Sequence, residues 1–392
     1  MQIINNIPVF GEPLMDAVGQ MESCLKTAFR AALMADHHLG YSLPIGGVIA
    51  YRDAVSPSGV GYDIACGNLA IKTDARIGDI RPKIAAIMDD VFKTVSFGVG
   101  RKNNEEVDHT LFDDAAWCLP SLAPLKQMAR EQLGTVGSGN HYLDIFHDED
   151  GAVWIGAHFG SRGLGHKTAT HYLKAAGGRD GIFAEPTVIP KSSPLFDEYI
   201  MAMNLCGRYA YAGREWVCGR VAKILGAKTV DVVHNHHNFA WPEEHDGEKL
   251  WVVRKGATPA FPGQRGFVGG TMGEPSVILE GVDSPESKAA LYSTVHGAGR
   301  IMSRTEAAGK SKWRNGRKER VSAGRVSHAM MREWVGNAGV ELRGAGVDES
   351  PHCYKRLAEV LAAQGATIVV KHKLTPVGVA MAGENEADPF KD

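Results

Sequence analysis

The chain has 392 residues, of which 44% are hydrophobic and 22% charged, and its formal net charge is −2. A charge so near zero excludes a globally basic nucleic-acid-binding protein, although it leaves room for a local basic groove. The sequence contains neither a secretory signal core nor an apolar run of membrane-spanning length, so we expect a cytoplasmic globular protein with a substantial core.

The cysteines do not form the pattern of a disulfide scaffold or a zinc ribbon. They stand at positions 24, 66, 118, 206, 218 and 353, and no pair has the CxxC spacing. Five of them are interpreted as buried, reduced thiols. Cys66 is set apart because it follows Asp63 by three residues in a glycine-rich stretch.

Apolar periodicity predicts several elements in the first half of the chain. Apolar side chains at helical spacing predict an amphipathic helix over residues 15–35, followed by a polar turn at 36–40 and a short apolar run at 47–51. Residues 68–72 are predicted to form a strand. A proline near its first turn supports a helix over 82–95.

The second half is predicted to contain both helices and strands. An apolar strand is predicted at 153–158 and ends on His158. The remaining elements are helices over 199–226 and 354–364 and strands over 230–233, 250–253 and 367–370. Because the spacing is not that of βαβ units, we expect a single α+β domain over residues 1–383, followed by a polar tail at 384–392.

Two glycine-rich segments in the first half end on side chains of the kinds that bind metal ions. Asp63 and Cys66 share a turn that could aim both at one point, whereas the alternative is a turn aspartate beside a buried cysteine. His141 follows Asn140 in segment 134–141, whose glycines resemble a phosphate cradle without forming a P-loop. A glycine-rich turn without a ligand would explain the glycines but not the Asn–His pair.

His158 is followed by Arg162 in a Gly/Ser turn. The planar guanidinium of Arg162 is suited to grip a phosphate. The alternative is a surface arginine beside a structural histidine, and we prefer that structural interpretation for His166 and His171.

Residues 234–238 read His-Asn-His-His-Asn, and we expect one metal ligand among these histidines. Alternate residues of a strand face opposite ways, so His236 and His237 should not share a face.

His296 stands among small residues, with Arg300 and Arg304 downstream. Such a histidine could attack a phosphorus atom and carry a phosphoramidate. It could equally be a metal ligand, and a glycine-rich helix start without chemistry is the structural alternative.

The clearest basic run covers residues 310–320 and includes Lys312, Trp313 and Arg314. Six basic residues with one tryptophan could follow a nucleic-acid backbone. A solvated charged loop is the other interpretation, and the sequence does not separate the two.

Taken in order, these motifs resemble those of the RtcB family of GTP-dependent RNA ligases, from about Asp36 to Gly383. The motifs are Asp63–Gly67, Gly139–His141, His158–Gly163, His236–Asn238 and His296–Arg300, with Arg254–Ala257 and Gly270–Gly273. The resemblance implies an α+β fold in which mixed sheets and surrounding helices enclose a central dinuclear metal cleft.

The resemblance also implies a site with two Mn²⁺ ions. Cys66 would bridge the ions, with Asp63 and His141 on one and His158 and His237 on the other. A thiolate and imidazoles suit Mn, Zn or Co better than Mg.

The chemistry implied by the resemblance is the joining of RNA ends. His296 would attack GTP and become guanylylated, and GMP would pass to an RNA 3′-phosphate. The 5′-hydroxyl of a second RNA would then displace GMP, and a 2′,3′-cyclic phosphate would be hydrolysed beforehand. The expected partners are GTP and RNA ends, with no membrane, and the expected state is a monomer.

Nucleotide and RNA contacts are implied at matching positions. Nucleotide contacts fall at Asn140, Asp144, Asn238, Thr271, Ser276, Arg300 and Tyr354. RNA or phosphate contacts fall at Asp36, Arg162, Arg304, Lys312, Trp313 and Arg314.

The chain departs from the family pattern at three positions. Tyr41 and Ala382 replace lysines, and Asp144 replaces a glutamate that contacts guanine. These departures leave two alternatives open besides the ligase: a guanylyltransferase that caps 3′-phosphate ends or a specialised repair ligase, and a non-catalytic RNA-end-binding protein.

Overall fold

The computed structural model describes residues 1–179, 181–314 and 317–384, and within 311–320 it describes the backbone alone. The α-helices are α1 (Met15–Leu25), α2 (Pro57–Val60), α3 (Ile77–Ile80), α4 (Ile84–Thr94), α5 (Lys126–Gln132), α6 (Arg162–Ala175), α7 (Leu195–Leu225), α8 (Pro285–Ala289), α9 (Arg304–Ala308), α10 (His328–Asn337) and α11 (Leu357–Gln364).

The strands alternate irregularly with these helices. They are β1 (Gln2–Ile4), β2 (Ile7–Val9), β3 (Arg30–His38), β4 (Ile45–Tyr51), β5 (Ala54–Val55), β6 (Gly67–Arg76), β7 (Tyr142–His147), β8 (Ala152–His158), β9 (Ile189–Pro190), β10 (Thr229–His236), β11 (Asn238–His245), β12 (Glu248–Lys255), β13 (Ala257–Pro259), β14 (Arg265–Val268), β15 (Ser276–Gly281), β16 (Ser293–Val295), β17 (Ser311–Arg314), β18 (Arg317–Arg320), β19 (Glu341–Ala345) and β20 (Ile368–Gly383). The mixed α+β class predicted from the sequence is confirmed.

Two large sheets organise the fold. One has six strands in the order β1-β2-β3-β4-β12-β11, and the other has eight, in the order β10-β6-β8-β7-β20-β15-β14 with β19 beside β20. The eight-stranded sheet is almost closed, because side chains join its two end strands. Arg265 of β14 donates to both carboxylate oxygens of Asp231 on β10, at 2.6 and 3.0 Å. The backbone N–H of Phe267 donates to Asn235 Oδ1 at 3.0 Å.

The two faces of this barrel-like sheet are covered differently. Its outer face packs against α4 and α7, and the cluster includes Leu69, Ile71, Met88, Val91, Leu143, Ile145, Ile155, Val217 and Val221. Its inner face carries Phe146, Trp154 and Phe267. The long α7 ends where Gly226 adopts φ 65°, a left-handed conformation that favours glycine. The C-terminal part of this 31-residue helix, with Val217 and Val221, packs against the sheet, whereas Phe196 and Tyr199 near its start belong to a separate core cluster.

One connection between the two large sheets is a single residue long. Strands β10 and β11 belong to different sheets and are separated only by His237. At the same seam, β6 begins directly after Cys66 and β8 ends on His158. Predicted metal-type side chains from distant parts of the sequence are thus brought to one seam.

The predicted helix over residues 15–35 is wrong in its second half. Helix α1 ends at Leu25, and β3 follows from Arg30. Residues 31–35 are apolar and buried on every side, so their pattern suits a buried strand as well as a helix. The predicted turn at 36–40 is also wrong at its start, because Asp36 and His37 lie in β3 and are 0% and 1% exposed.

Other predicted elements are confirmed with shifted boundaries. Strands at 68–72, 153–158, 230–233 and 250–253 and helices at 82–95 and 199–226 all have counterparts. The last helix begins at Leu357, and the last strand continues to Gly383. All six cysteines are free, but Cys118 is exposed, which corrects the expectation that it is buried.

The predicted tail lies outside the described residues from position 385 onward. Among the helices that the structure describes, we find none with the length and apolar character needed to cross a membrane.

Candidate metal and nucleophile site

Three metal-type donors converge at the seam between the sheets. Cys66 Sγ lies 3.6 Å from His141 Nε2 and 3.3 Å from His158 Nε2. A donor atom from each of these three residues lies within 4.8 Å of the other two. Asp63 adds a carboxylate oxygen 3.0 Å from His141 Nε2. One thiol, two imidazoles and a carboxylate form a donor set suited to a transition-metal ion.

Strand register and one glycine bring these donors together. On β8, His158 pairs with Asn68 of β6, two residues after Cys66. A Cβ atom at Gly160 would lie 2.1 Å from Asp63 Oδ1. Only glycine therefore allows the Asp63 turn to approach the end of β8 so closely.

His237 links this cluster to His296. The His237 ring centroid lies 5.0 Å from that of His158 and 4.9 Å from that of His296. His236 instead stacks on Tyr211, with centroids 3.9 Å apart. The expectation that His236 and His237 face different ways is confirmed.

Asp36 holds His296 at three atoms. The Asp36 Oδ2 atom lies 2.6 Å from His296 Nδ1 and accepts the backbone N–H groups of His296 at 3.0 Å and Gly297 at 3.3 Å. Burial alone would raise the pKa of Asp36, but the contacts with His296 outweigh it and the pKa lies below its usual value. Because Nδ1 is engaged by a carboxylate, Nε2 is the ring nitrogen of His296 left for chemistry.

The protonation states of the buried donors fit a metal ion. Burial lowers the pKa of His158 and of His237 well below the usual value, so both are neutral, the form that binds metals. Burial and then Asp63 raise the pKa of Cys66, so a cation would have to displace the thiol proton. Within the described part of the chain, His141 Nδ1 and His237 Nδ1 are buried without a hydrogen-bond partner.

The two arginines after His296 are paired with carboxylates. Arg300 donates to Tyr354 Oη and to the Asp348 carbonyl, both at 2.8 Å, and approaches Glu349 at 3.5 Å. Arg304 donates to Asp348 Oδ2 at 2.9 Å and also to Glu349. Tyr354 donates to Glu349 as well. We call these five residues the arginine–carboxylate network.

The turn before His141 also lies at the site. A Cβ atom at Gly137 would lie 2.0 Å from His141 Nδ1 and 2.3 Å from Arg162 Nη1. Arg162 donates to the Gly98 carbonyl at 3.0 Å. Asn140 is exposed at the end of this turn. The structure therefore brings Arg162 and Asn140 close to the cluster of Asp63, Cys66, His141 and His158.

The other residues predicted to bind nucleotide are spread over the seam and the inner face of the barrel-like sheet. Asn238 bridges two loops, donating to the Asp63 carbonyl at 3.3 Å and accepting the Gly256 N–H at 2.7 Å. Ser276 accepts the N–H of Gly270 at 2.9 Å, and Thr271 donates to Glu274 at 2.9 Å. These side chains support the loops around the site.

Asp144 is the carboxylic acid among the residues predicted to bind nucleotide. It lies on β7, two residues after Tyr142, so both side chains face the same way. Burial raises the pKa of Asp144 well above its usual value. Among the described residues, neither Asp144 Oδ1 nor Tyr142 Oη has a hydrogen-bond partner. Unpaired buried polar atoms of this kind are uncommon in folded proteins.

The predicted RNA contacts in the basic run cannot be placed at the level of side chains. The backbone of residues 311–314 and 317–320 forms the hairpin β17–β18. The side chains of Lys312, Trp313 and Arg314 lie outside the described part of the chain.

Sequence reasoning missed Arg214 and Glu349. Arg214 is 0% exposed in the middle of α7 and contacts residues beside three predicted ligands. No motif surrounds it. Glu349 follows Asp348 in a short acidic pair, and that pair beside the predicted guanine-pocket residue Tyr354 was an available signal.

Comparisons with known proteins agree on one family. Residues 18–382 match the family model described as tRNA-splicing ligase RtcB. The RNA-splicing ligase RtcB of Escherichia coli K12 is 31% identical, covering 92% of this chain and 93% of the relative. The tRNA-splicing ligases RtcB of Thermococcus kodakarensis and Aeropyrum pernix are 30% and 32% identical, covering 89% and 88% of this chain and 86% and 87% of the relatives.

Proposed function

The chain belongs to the RtcB family and is an RNA ligase, and from this premise we propose that it seals RNA by a GTP- and Mn²⁺-dependent reaction. Its substrates would be ends carrying a 3′-phosphate or 2′,3′-cyclic phosphate and ends carrying a 5′-hydroxyl. The observation that carries the proposal is a histidine held by a buried carboxylate, beside a second histidine that contacts the metal-type cluster. As in the relatives named for it, tRNA splicing is a candidate setting.

Two metal ions are proposed at the cluster. Cys66 would bridge them, with Asp63 and His141 on one and His158 and His237 on the other. The short separations among Cys66, His141 and His158 support shared coordination. When bound, the ions would supply Lewis-acid neutralisation of phosphate charge.

The first step is self-guanylylation of His296. Its Nε2 attacks the α-phosphorus of GTP, a P–N bond forms, and the P–O bond to pyrophosphate breaks. Asp36 Oδ2 lies 2.6 Å from Nδ1 and would compensate the positive charge that develops on the ring. The product is GMP joined to His296 as a phosphoramidate.

The next two steps transfer and release GMP. An oxygen of the RNA 3′-phosphate attacks the same phosphorus, the P–N bond breaks, and the RNA gains a 3′-diphosphate-linked guanosine. The 5′-hydroxyl of the second RNA then attacks the 3′-phosphorus, loses its proton, and expels GMP as the phosphodiester forms. A 2′,3′-cyclic phosphate is opened by water before these steps.

Guanine recognition is proposed at Asp144. A guanine presents N–H donors on its Watson–Crick edge, and a carboxyl oxygen without a partner can accept them. Tyr142, beside it on the same face, adds a second unpaired polar atom. Tyr354, Ser276, Thr271, Asn238 and Arg300 would shape the nucleotide pocket, and Asn140 would contact the triphosphate.

RNA is proposed to lie along the cationic groups that border the cluster. Arg162 and Arg304 would meet phosphates at the reacting ends, with Lys312, Trp313 and Arg314 farther along the strand. Asp36 takes part through His296. Because the site draws on both large sheets, we propose that residues 1–383 act as one unit and that a monomer suffices.

A guanylylation assay tests the proposal. The protein is incubated with Mn²⁺ and each nucleoside triphosphate, and its intact mass is measured. We expect an acid-labile GMP adduct with GTP. If none of the four nucleotides gives an adduct, the proposal is refuted.

A sealing assay then separates ligation from end capping. RNAs with 3′-phosphate and 5′-hydroxyl ends should be joined in the presence of GTP. Accumulation of 3′-guanylylated RNA without joined product would identify the capping enzyme instead. A non-catalytic RNA-end-binding protein is not proposed, because the chain is an RNA ligase by family.

A further inference from the structure

Arg214 lies in the middle of α7 at a fully buried position, where a charged side chain is rare. It is 0% exposed, and its guanidinium is directed at the seam between the two large sheets. Nη1 donates to the Ala65 carbonyl at 3.1 Å and to the Phe159 carbonyl. Nε donates to His234 Nε2 at 2.9 Å, and Nη2 lies 3.0 Å from His236 Nδ1.

Each of three contacts falls one residue from a proposed metal ligand. Ala65 directly precedes Cys66, Phe159 directly follows His158, and His236 directly precedes His237. These three segments come from the loop before β6, the end of β8 and the end of β10. One side chain therefore fixes the relative positions of three segments that share no sequence neighbourhood.

The contact with Ala65 also holds a strained turn. Ala65 has φ 60°, a left-handed conformation that residues with a Cβ atom rarely adopt. Such conformations persist where surrounding contacts enforce them, and they gather at functional sites. Fixing Ala65 sets the direction in which the Cys66 thiol leaves the backbone.

The charge of Arg214 is balanced in an unusual way. Among the described residues, its hydrogen bonds go to carbonyl oxygens and imidazoles and to no carboxylate. Arg254, which is also 0% exposed, instead forms a two-point ion pair with Glu243, at 2.6 and 3.1 Å. Removing a cation from water raises the free energy of the folded state unless a negative charge lies near it. Asp63 is the carboxylate beside Cys66 and His141 whose charge acts on Arg214.

We propose that Arg214 is a positioning residue for the metal centre, holding the segments that carry Cys66, His158 and His237 at the spacing required for metal binding. This inference rests on the proposed metal centre. It assigns to α7 a role beyond packing against the sheet, because α7 carries the side chain that joins the ligand-bearing segments.

Binding of Co²⁺ to the metal-free protein tests the inference without any assay of ligation. Visible absorption reports both the affinity and the thiolate-to-cobalt charge-transfer band, which depends on the geometry at Cys66. Arg214→Lys keeps the charge but loses the planar fork, and Arg214→Met loses both. We expect each to weaken Co²⁺ binding roughly 10- to 100-fold, as losing the supports of metal ligands typically does, and to change the charge-transfer band.

A matched control and a milder variant complete the experiment. Arg254→Lys removes an equally buried guanidinium away from the cluster and should leave Co²⁺ affinity and the band unchanged, even if it lowers the melting temperature. His234→Gln removes one partner of Arg214 and should give a smaller loss of affinity in the same direction. It remains informative if Arg214→Met does not fold.

The outcomes separate this inference from the proposed function. If the unsubstituted protein binds Co²⁺ and the folded Arg214→Lys variant binds it equally tightly with the same band, the positioning role is refuted and the metal centre stands. If the unsubstituted protein does not bind Co²⁺, the metal centre itself is refuted, and this inference with it.

Discussion

The two sides of the proposed cleft differ in how their polar groups are paired. We call the side with the proposed metal ligands the ligand side and the side with the arginine–carboxylate network the arginine side. On the ligand side, Cys66, His141 and His158 crowd together, while buried nitrogens of His141 and His237 have no hydrogen-bond partner among the described residues. In the arginine–carboxylate network, Arg300 and Arg304 are already paired with Asp348 and Glu349.

This difference indicates what each side can bind. On the ligand side, close donor atoms from Cys66, His141 and His158 form a group able to hold a metal ion. On the arginine side, Arg300 and Arg304 are already paired with carboxylates, so an incoming phosphate would compete with these carboxylates. His296, with Asp36, stands between the two sides.

The largest expected effect is on the nucleophile between the two sides. His296→Ala should abolish the GMP adduct and leave metal content unchanged, because Nε2 of His296 is proposed to form the bond and the ligand side is untouched. Intact-mass measurement and metal analysis check both statements. His171→Ala, at an exposed histidine on α6, should label normally. An adduct on the His296→Ala variant would mean that the nucleophile is another residue.

Next in size is removal of the thiol on the ligand side. Cys66→Ala should release the bound metal, because the sulfur lies within reach of both His141 and His158. Metal content after dialysis is the measurement. Cys206→Ala removes an equally buried thiol, which lies 3.7 Å from Thr168 Oγ1, and should retain the metal. Full occupancy in the Cys66→Ala protein would contradict a bridging role.

Asp36→Asn should slow adduct formation roughly 10²- to 10⁴-fold, the range associated with a positioned acid or base, while metal content stays normal. An amide is uncharged and does not compensate the positive charge that develops on the His296 ring. Single-turnover labelling with GTP measures the rate. Asp148→Asn is the control, since Asp148 is 1% exposed but is paired with Lys72 and Trp154. An unchanged labelling rate in Asp36→Asn would remove Asp36 from the mechanism.

A smaller effect is expected in the arginine–carboxylate network. Glu349→Gln should strengthen binding of 3′-phosphorylated RNA several-fold and steepen its salt dependence, because Arg300 and Arg304 lose an internal competitor for phosphate. Titrations at several salt concentrations measure both quantities. Glu306→Gln, which breaks an exposed pair with Arg325, should change neither. Weaker binding by Glu349→Gln would show that the carboxylate instead pre-organises the arginines.

The last prediction concerns pH and the metal-free protein. Folding depresses the pKa of His158 and of His237, chiefly by burial, so the unfolded chain takes up protons below about pH 6.5 that the folded chain does not. Stability should therefore be retained above that pH and fall as the pH drops, by about 1.4 kcal/mol per pH unit for each group. Denaturant titrations between about pH 7 and 5 measure this slope. His237→Asn should reduce it, and an equally steep slope in that variant would contradict the assignment.

Some parts of the site were accessible from local sequence. Motifs containing Cys66, His158 and His237 pointed to residues that commonly bind metals, and alternation along a strand predicted that His236 and His237 would face different ways, as the stacking of His236 on Tyr211 shows. The position of Asp36 was harder to predict, because the apolar run before it suits a helix and a buried strand alike. Pairing of β3 with β4 decided in favour of the strand, and the irregular stretch of β3 between Leu33 and His38 brings Asp36 Oδ2 within 2.6 Å of His296 Nδ1.

The sequence by itself determined the residue types at the site, the α+β class and most elements, because periodicity and turn chemistry act over a few neighbouring residues. Only the tertiary structure decided which side chains meet. Arg214 joins three segments that carry proposed metal ligands, and Glu349 pairs with Arg300 and Arg304. Contacts of this kind depend on how separate elements pack, and no spacing along the chain encodes them.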